Sequence, residues 1–101
     1  MMGLLGLCAK ARKIESGTDA CIELIGKKKV KLIIVAVDAV DRTKRNLEFV
    51  CNKHNVKICF YGEISKLSHA IGKSNKAVIG IKEENFANQI LKIINGGEII
   101  G

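Results

Sequence analysis

The sequence predicts an α/β fold, a three-layer α-β-α sandwich around a small mixed central sheet. Three observations predict it. Short β-branched runs occur at Val30–Val37, Val56–Tyr61 and Ala77–Ile81. Stretches with apolar residues at helical spacing separate them, and such alternation of strands and helices favours a sheet covered by helices. The run VKLIIVAV also lacks the in-out alternation of a half-exposed strand, as expected when both faces are covered.

Leu4, Leu7, Cys8 and Ala11 mark a first helix, with Lys10 and Lys13 turned elsewhere. The break at Glu15–Thr18 starts a second helix, with Ser16 or Thr18 as cap and Asp19 in its first turn. The interval around Ile14 and Glu15 is a candidate edge strand. The second helix buries Cys21, Leu24 and Ile25 and ends near Gly26, where Lys27, Lys28 and Lys29 suit its negative C-terminal end. Asp38–Asp41 turns the first long strand into a third helix reaching about His54, with Asp38 as its cap. Gly62 leads into a short helix with Leu67, Ala70 and Ile71 on one side. Phe86, Ile90, Ile93 and Ile94 define a closing helix, stopped by Gly96 and Gly97.

At 101 residues the chain reads as one domain, residues 1–101, large enough for a real core. Aromatics are few and tryptophan is absent, so that core must be built from Ile, Leu, Val and Ala. Lys and Arg outnumber Asp and Glu by 17 to 10, and a formal charge of +7 favours a polyanionic partner, nucleic acid first. No stretch is apolar enough to span a membrane, and the N-terminus does not read as a signal peptide. The expected setting is therefore cytoplasmic, with reduced thiols at Cys8, Cys21, Cys51 and Cys59. Cys51 and His54 have the spacing of a metal half-site. With Leu47 and Val50, however, they form the apolar stripe of a helix, so no metal or other cofactor is expected.

Gly72-Lys73-Ser74 ends like a nucleotide-binding phosphate loop. The first glycine of that motif would fall at Leu67, inside a helix. A phosphate loop also follows a strand and opens a helix, whereas here the order is reversed. Neither histidine joins a catalytic set, and nothing marks the chain as an enzyme.

Four segments in order, Leu4–Thr18, Val30–Ala39, Leu67–Lys73 and Ala77–Ala87, resemble the L-seven-Ae/L-thirty-e superfamily of kink-turn RNA-binding ribosomal proteins. The likeness is strongest to its bacterial YlxQ-type branch and extends from Leu4 to about Ile94. The resemblance implies a non-enzymatic, ribosome-associated RNA-binding protein, with structured RNA and ribosomal proteins as partners; nothing in the sequence demands a dimer, so a monomer is expected. It implies that Gly17, Thr18, Asp19 and Ala20, then Glu23 and Lys27, meet the RNA at its sheared G·A pairs. It places Ile71, Gly72, Lys73 and Ser74, on to Lys76, beside an extruded nucleotide. Lys10, Arg12, Lys13, Lys27, Lys28, Lys29 and Lys73 would gather at one end to relieve phosphate crowding.

The departures are equally specific. Where the family has Gly-Thr-Asn-Glu and a later Lys, this chain has Gly17, Thr18, Asp19, Ala20 and Glu23. Asp19 lacks the amide donors, Ala20 lacks the acceptor, and Glu23 reverses a charge. These changes keep open a protein–protein adaptor on the same scaffold.

Overall fold

The computed structural model describes residues 1–100, with side chains through residue 95. The elements are α1 (Met2–Lys10), β1 (Ile14–Ser16), α2 (Thr18–Gly26), β2 (Leu32–Val35), α3 (Asp41–His54), β3 (Lys57–Phe60), α4 (Ile64–Ala70), β4 (Val78–Ile81) and α5 (Glu84–Ile100). The strand order is β1-β4-β2-β3. The β2–β3 pair is parallel, as its α3 crossover requires, while β4 runs antiparallel to both β2 and β1. On one face α2 packs against α3, and on the other α1 packs against α4 and α5. The expected three-layer sandwich is the observed one.

Burial explains the strand sequences. Every residue of β2 and β4 is buried, since both strands are central and covered twice. β3, at an edge, leaves Lys57 and Phe60 exposed. The fully buried large side chains are all aliphatic, including Ile33, Ile34 and Ile79. Burial of each such side chain contributes about 1.5–3 kcal/mol. The expected strand at Val30–Val37 is shorter, but Lys31, Ala36 and Val37 still donate backbone hydrogen bonds to Ile81, Ala77 and Gly62.

Gly80 sits where α2 approaches β4 closely. A Cβ there would lie 3.1 Å from Val30 and 3.3 Å from the Cys21 sulfur, so a larger residue would make those side chains give way by a few tenths of an ångström. The Cys21 thiol fills the gap and points toward the carbonyls of Glu15 and Val78.

Several local expectations are corrected. In α1 the buried residues are Leu5 and Cys8, while Leu7 is 59% exposed. Gly6 faces α4, where a Cβ would lie 3.2 Å from the Ala70 carbonyl oxygen, so the two helices approach closely on that side. In α5 the inward stripe is Ala87, Ile90, Leu91 and Ile94, which leaves Ile93 exposed. That helix also passes through Gly96 and Gly97 to Ile100. A glycine inside a helix is disfavoured by only about 1 kcal/mol, which is not a stop signal by itself. In α2, Leu24 is only partly buried, and neither Ser16 nor Thr18 caps the helix; Gly17 occupies the cap position. Asp38 does not cap α3. Its carboxylate accepts from the Ile64 N–H at 2.8 Å, capping α4, whose start lies at the same end of the sheet.

Candidate nucleic-acid interface

The N-terminus of α2 is anchored rather than capped. Gly17 adopts φ 100° and ψ 146°, a region essentially reserved for glycine. Its N–H donates to the Val78 carbonyl at 2.9 Å, and its own carbonyl accepts from Cys21 at 3.1 Å. No side chain caps the first turn, so the N–H groups of Thr18, Asp19 and Ala20 meet no capping side chain. These orphan donors and the positive end of the helix dipole favour an anion. Asp19, in the same turn and exposed, partly offsets that attraction.

The loop between α4 and β4 stands beside this turn. The Lys76 ammonium lies 3.8 Å from where a Gly17 Cβ would be. Ser68, only 2% exposed, fixes Lys76 from beneath. Its hydroxyl accepts from the Lys76 N–H at 2.8 Å and donates to the Lys76 carbonyl at 3.2 Å. Gly72 and Asn75 both take positive φ, which folds the loop back on α4. The N–H of Lys73 then donates to the Ser68 carbonyl at 2.8 Å. Gly72, Lys73, Ser74 and Asn75 are exposed, whereas Ile71 is 8% exposed and anchors the loop in the core.

Two further groups extend from this end. Arg12, Lys73 and Lys82 line a groove that runs along β1 toward the opposite end of the sheet, beside Ile14, Glu15 and Ser16. Across the sheet, Val37 is 49% exposed and Val40 69% exposed, in the turn after β2, whose Ala36 donates to Ala77. They supply apolar surface that the loop itself lacks.

The structure joins Gly17–Ala20 to Gly72–Lys76, but it divides the expected lysine group. Gly17 meets β4 at Val78, whereas Lys31 meets it at Ile81. Lys27, Lys28 and Lys29, at the far end of α2, therefore occupy the opposite end of the sheet from Gly17. Lys13 does too, its carbonyl accepting from Lys82 just past β4. Glu23 and Lys27 form an exposed i,i+4 ion pair of 3.1 Å, a contact of little stabilising worth. Ser68, Val37 and Val40 are not singled out by the sequence. The hint for Ser68 is a lone hydroxyl between Leu67 and Ile71 on an apolar helix face.

The thiols are packing groups. Burial chiefly, with the Glu15 charge added, pushes Cys21 up to about 12, and burial pushes Cys51 up to about 11. Cys8 rises to about 11, through burial and then Glu83. Thiols this reluctant to ionise are poor nucleophiles at neutral pH. Cys51 is buried beside Leu47 on the core face of α3, the position its spacing predicts.

The geometry defines a class: a small α-β-α sandwich with a glycine-anchored helix start and a basic loop at one sheet end, arranged for polyanions. The chain belongs to the Ribosomal protein L7Ae/L30e/S12e/Gadd45 family, whose model matches residues 1–91. It is similar to the RNA-binding protein YlxQ of Bacillus subtilis (strain 168), 30% identical over 92 residues, covering 91% of this chain and 92% of that protein. The RNA-binding protein YlxQ of Enterococcus faecium is 30% identical over 95 residues, covering 94% and 91%. A Bacillus halodurans C protein of unknown function superposes with a TM-score of 0.90 at 31% identity, over 93% of this chain and 95% of its own. A Giardia lamblia 15.5kD RNA binding protein gives 0.79 at 23% identity, over 99% and 86%, a likeness of fold. Among the described residues no helix is long and apolar enough to cross a membrane.

Proposed function

We propose that this chain is a non-enzymatic, ribosome-associated RNA-binding protein that reads structured, kink-turn-like RNA by shape and phosphate contact. The observation that carries the reading is the uncapped start of α2, locked at Gly17 beside the Lys76 ammonium. A sharply folded RNA brings phosphates together, and free helix N–H groups beside the Lys76 ammonium match that crowding. The family and the names of the YlxQ relatives support RNA as the partner. The expected site is Gly17, Thr18, Asp19 and Ala20 with Gly72, Lys73, Ser74 and Lys76, and Ile71 as the loop's anchor.

Base reading is weaker than shape reading here. Asp19, Ala20 and Glu23 remove polar groups aimed at base edges, each worth about 1–3 kcal/mol of discrimination. Exposed Val37 and Val40 provide an apolar rest for an unstacked base at the same end. Gel-shift titration of a kink-turn hairpin and an unkinked duplex, at several salt concentrations, tests the proposal. Tighter binding to the hairpin is expected, with an affinity that falls steeply with salt. Equal binding to both removes shape recognition, and no binding at low salt removes the RNA reading altogether.

A further inference from the structure

The opposite end of the sheet holds a second basic face, and kink-turn reading at Gly17 makes no use of it. A cleft of about 250 Å³ opens there between the ends of α2 and α3 and the first turns of α5. Lys28, Lys31 and Lys57 line it, with Asn55, Glu84 and an apolar floor that includes Leu91. Among the described residues the one ion pair is Glu23–Lys27, so these three lysines have none. Glu84 is a single carboxylate against them.

Helix ends do not account for this charge. The C-termini of α2 and α3 together present only about one negative charge. Lys27, Lys29 and Lys53 already lie in or next to those last turns. Lys31 and Lys57 sit at the starts of β2 and β3, where no helix end requires them. Lys28 also helps to form the rim. It takes φ 57° in the turn closing α2, a conformation that glycine adopts with less strain, while Gly26 nearby is ordinary helix. Asn55 does the same at the end of α3, with φ 58°. Both helices thus end on left-handed residues whose side chains line one cleft. Left-handed residues commonly close helices, Arg12 after α1 among them, so these turns shape the rim and the unpaired lysine charge is what points to a ligand.

We infer that Lys28, Lys31 and Lys57 form a second RNA contact, taking the phosphates of a single-stranded segment while the Gly17 end holds folded RNA. One chain would then bridge two RNA segments across the length of its sheet. The inference stands on charge at the far end and does not need kink-turn specificity.

The test uses fluorescence anisotropy with a labelled twelve-residue oligouridylate and, separately, a kink-turn hairpin. Replacing all three lysines by glutamine (Lys28→Gln, Lys31→Gln, Lys57→Gln) is expected to weaken oligonucleotide binding at least about tenfold. The slope of log K against log salt should fall by about 2, as three lost phosphate contacts to a single strand require. Hairpin affinity should stay within about twofold, given contacts made only at the other end. The Lys31→Gln/Lys57→Gln pair leaves the left-handed turn at Lys28 intact and should show most of the effect; circular dichroism checks folding. Protein saturated with hairpin should still bind the oligonucleotide. Unchanged oligonucleotide binding by the triple variant overturns the inference. So does one-for-one displacement by the hairpin, or equal competition by polyglutamate of matched charge. Failure of hairpin binding alone, with lysine-dependent oligonucleotide binding intact, removes the kink-turn proposal and leaves this one standing.

Discussion

At the Gly17 end, positive charge is organised by backbone. A glycine-only conformation anchors α2, and Ser68 grips both polar backbone groups of Lys76. At the Lys31 end, charge is organised by side chains around an open cleft, and left-handed turns at Lys28 and Asn55 set its rim. The same excess of lysine thus makes two different surfaces. One is built on backbone anchored at Gly17 and Ser68; the other is a cleft lined by exposed lysine side chains. Local architecture, not net charge, separates them.

Charge reversal should expose the difference most strongly. Lys73→Glu with Lys76→Glu should lower hairpin affinity on the order of a hundredfold at moderate salt, through two lost charge-assisted contacts. Lys31→Glu with Lys57→Glu should change it less than about threefold, because those side chains lie at the other end of β4. Equal losses in a filter-binding titration would erase the distinction between the ends.

Gly17→Ala attacks the anchor. Nothing crowds the new methyl except the Lys76 ammonium at 3.8 Å, so the penalty is in the backbone. A loss of about 1–3 kcal/mol is expected in urea unfolding, because this region of φ and ψ is essentially closed to alanine. Gly72→Ala, in open space at φ 71°, should cost less, since the left-handed region is only mildly disfavoured. If the two glycines tolerate alanine equally, Gly17 is not the special position described.

Ser68→Ala should lower stability by about 1–2 kcal/mol, by stranding the Lys76 N–H. Hairpin affinity should drop several-fold with the salt slope unchanged, because the loop is loosened but keeps its charge. A variant that weakens stability without touching hairpin affinity would show that Ser68 does not position the loop. The mildest change is Glu23→Lys, which removes an exposed ion pair of little worth. Urea unfolding should barely move, while hairpin affinity should rise several-fold. An unchanged affinity would mean that Glu23 faces no RNA.

The layers were legible in the sequence because burial writes itself into β-branched runs, as in VKLIIVAV, and into helical stripes such as Leu47 and Cys51. The edge strand at Ile14–Ser16 was also visible, in the interval between two helices. What could not be read depends on contacts distant in the chain. In α1, Leu4, Leu5 and Leu7 lie close together in sequence, and packing against α4 and α5 leaves Leu5 buried and Leu7 exposed. Asp38 caps a helix 26 residues away rather than the next one. The lysines near α2 looked like one group because they are close in sequence, yet the helix carries Lys27–Lys29 to the other end of the sheet. Within the candidate site, Gly17 and the Gly72 loop were visible as motifs. Val37 and Val40 were not, because a valine carries no sign of where the fold will set it, and Ser68 left only the hint of a hydroxyl on an apolar helix face.

The central claim is that folded RNA meets the start of α2 and the loop before β4. Backbone amide shift mapping by NMR, with a kink-turn hairpin added to one equivalent, tests it most directly. The largest perturbations should fall on Gly17–Ala20 and Gly72–Lys76, with Lys28–Lys31 and Lys57 little changed. Perturbations concentrated at Lys28–Lys31 and Lys57, with Gly17–Ala20 silent, would contradict the account.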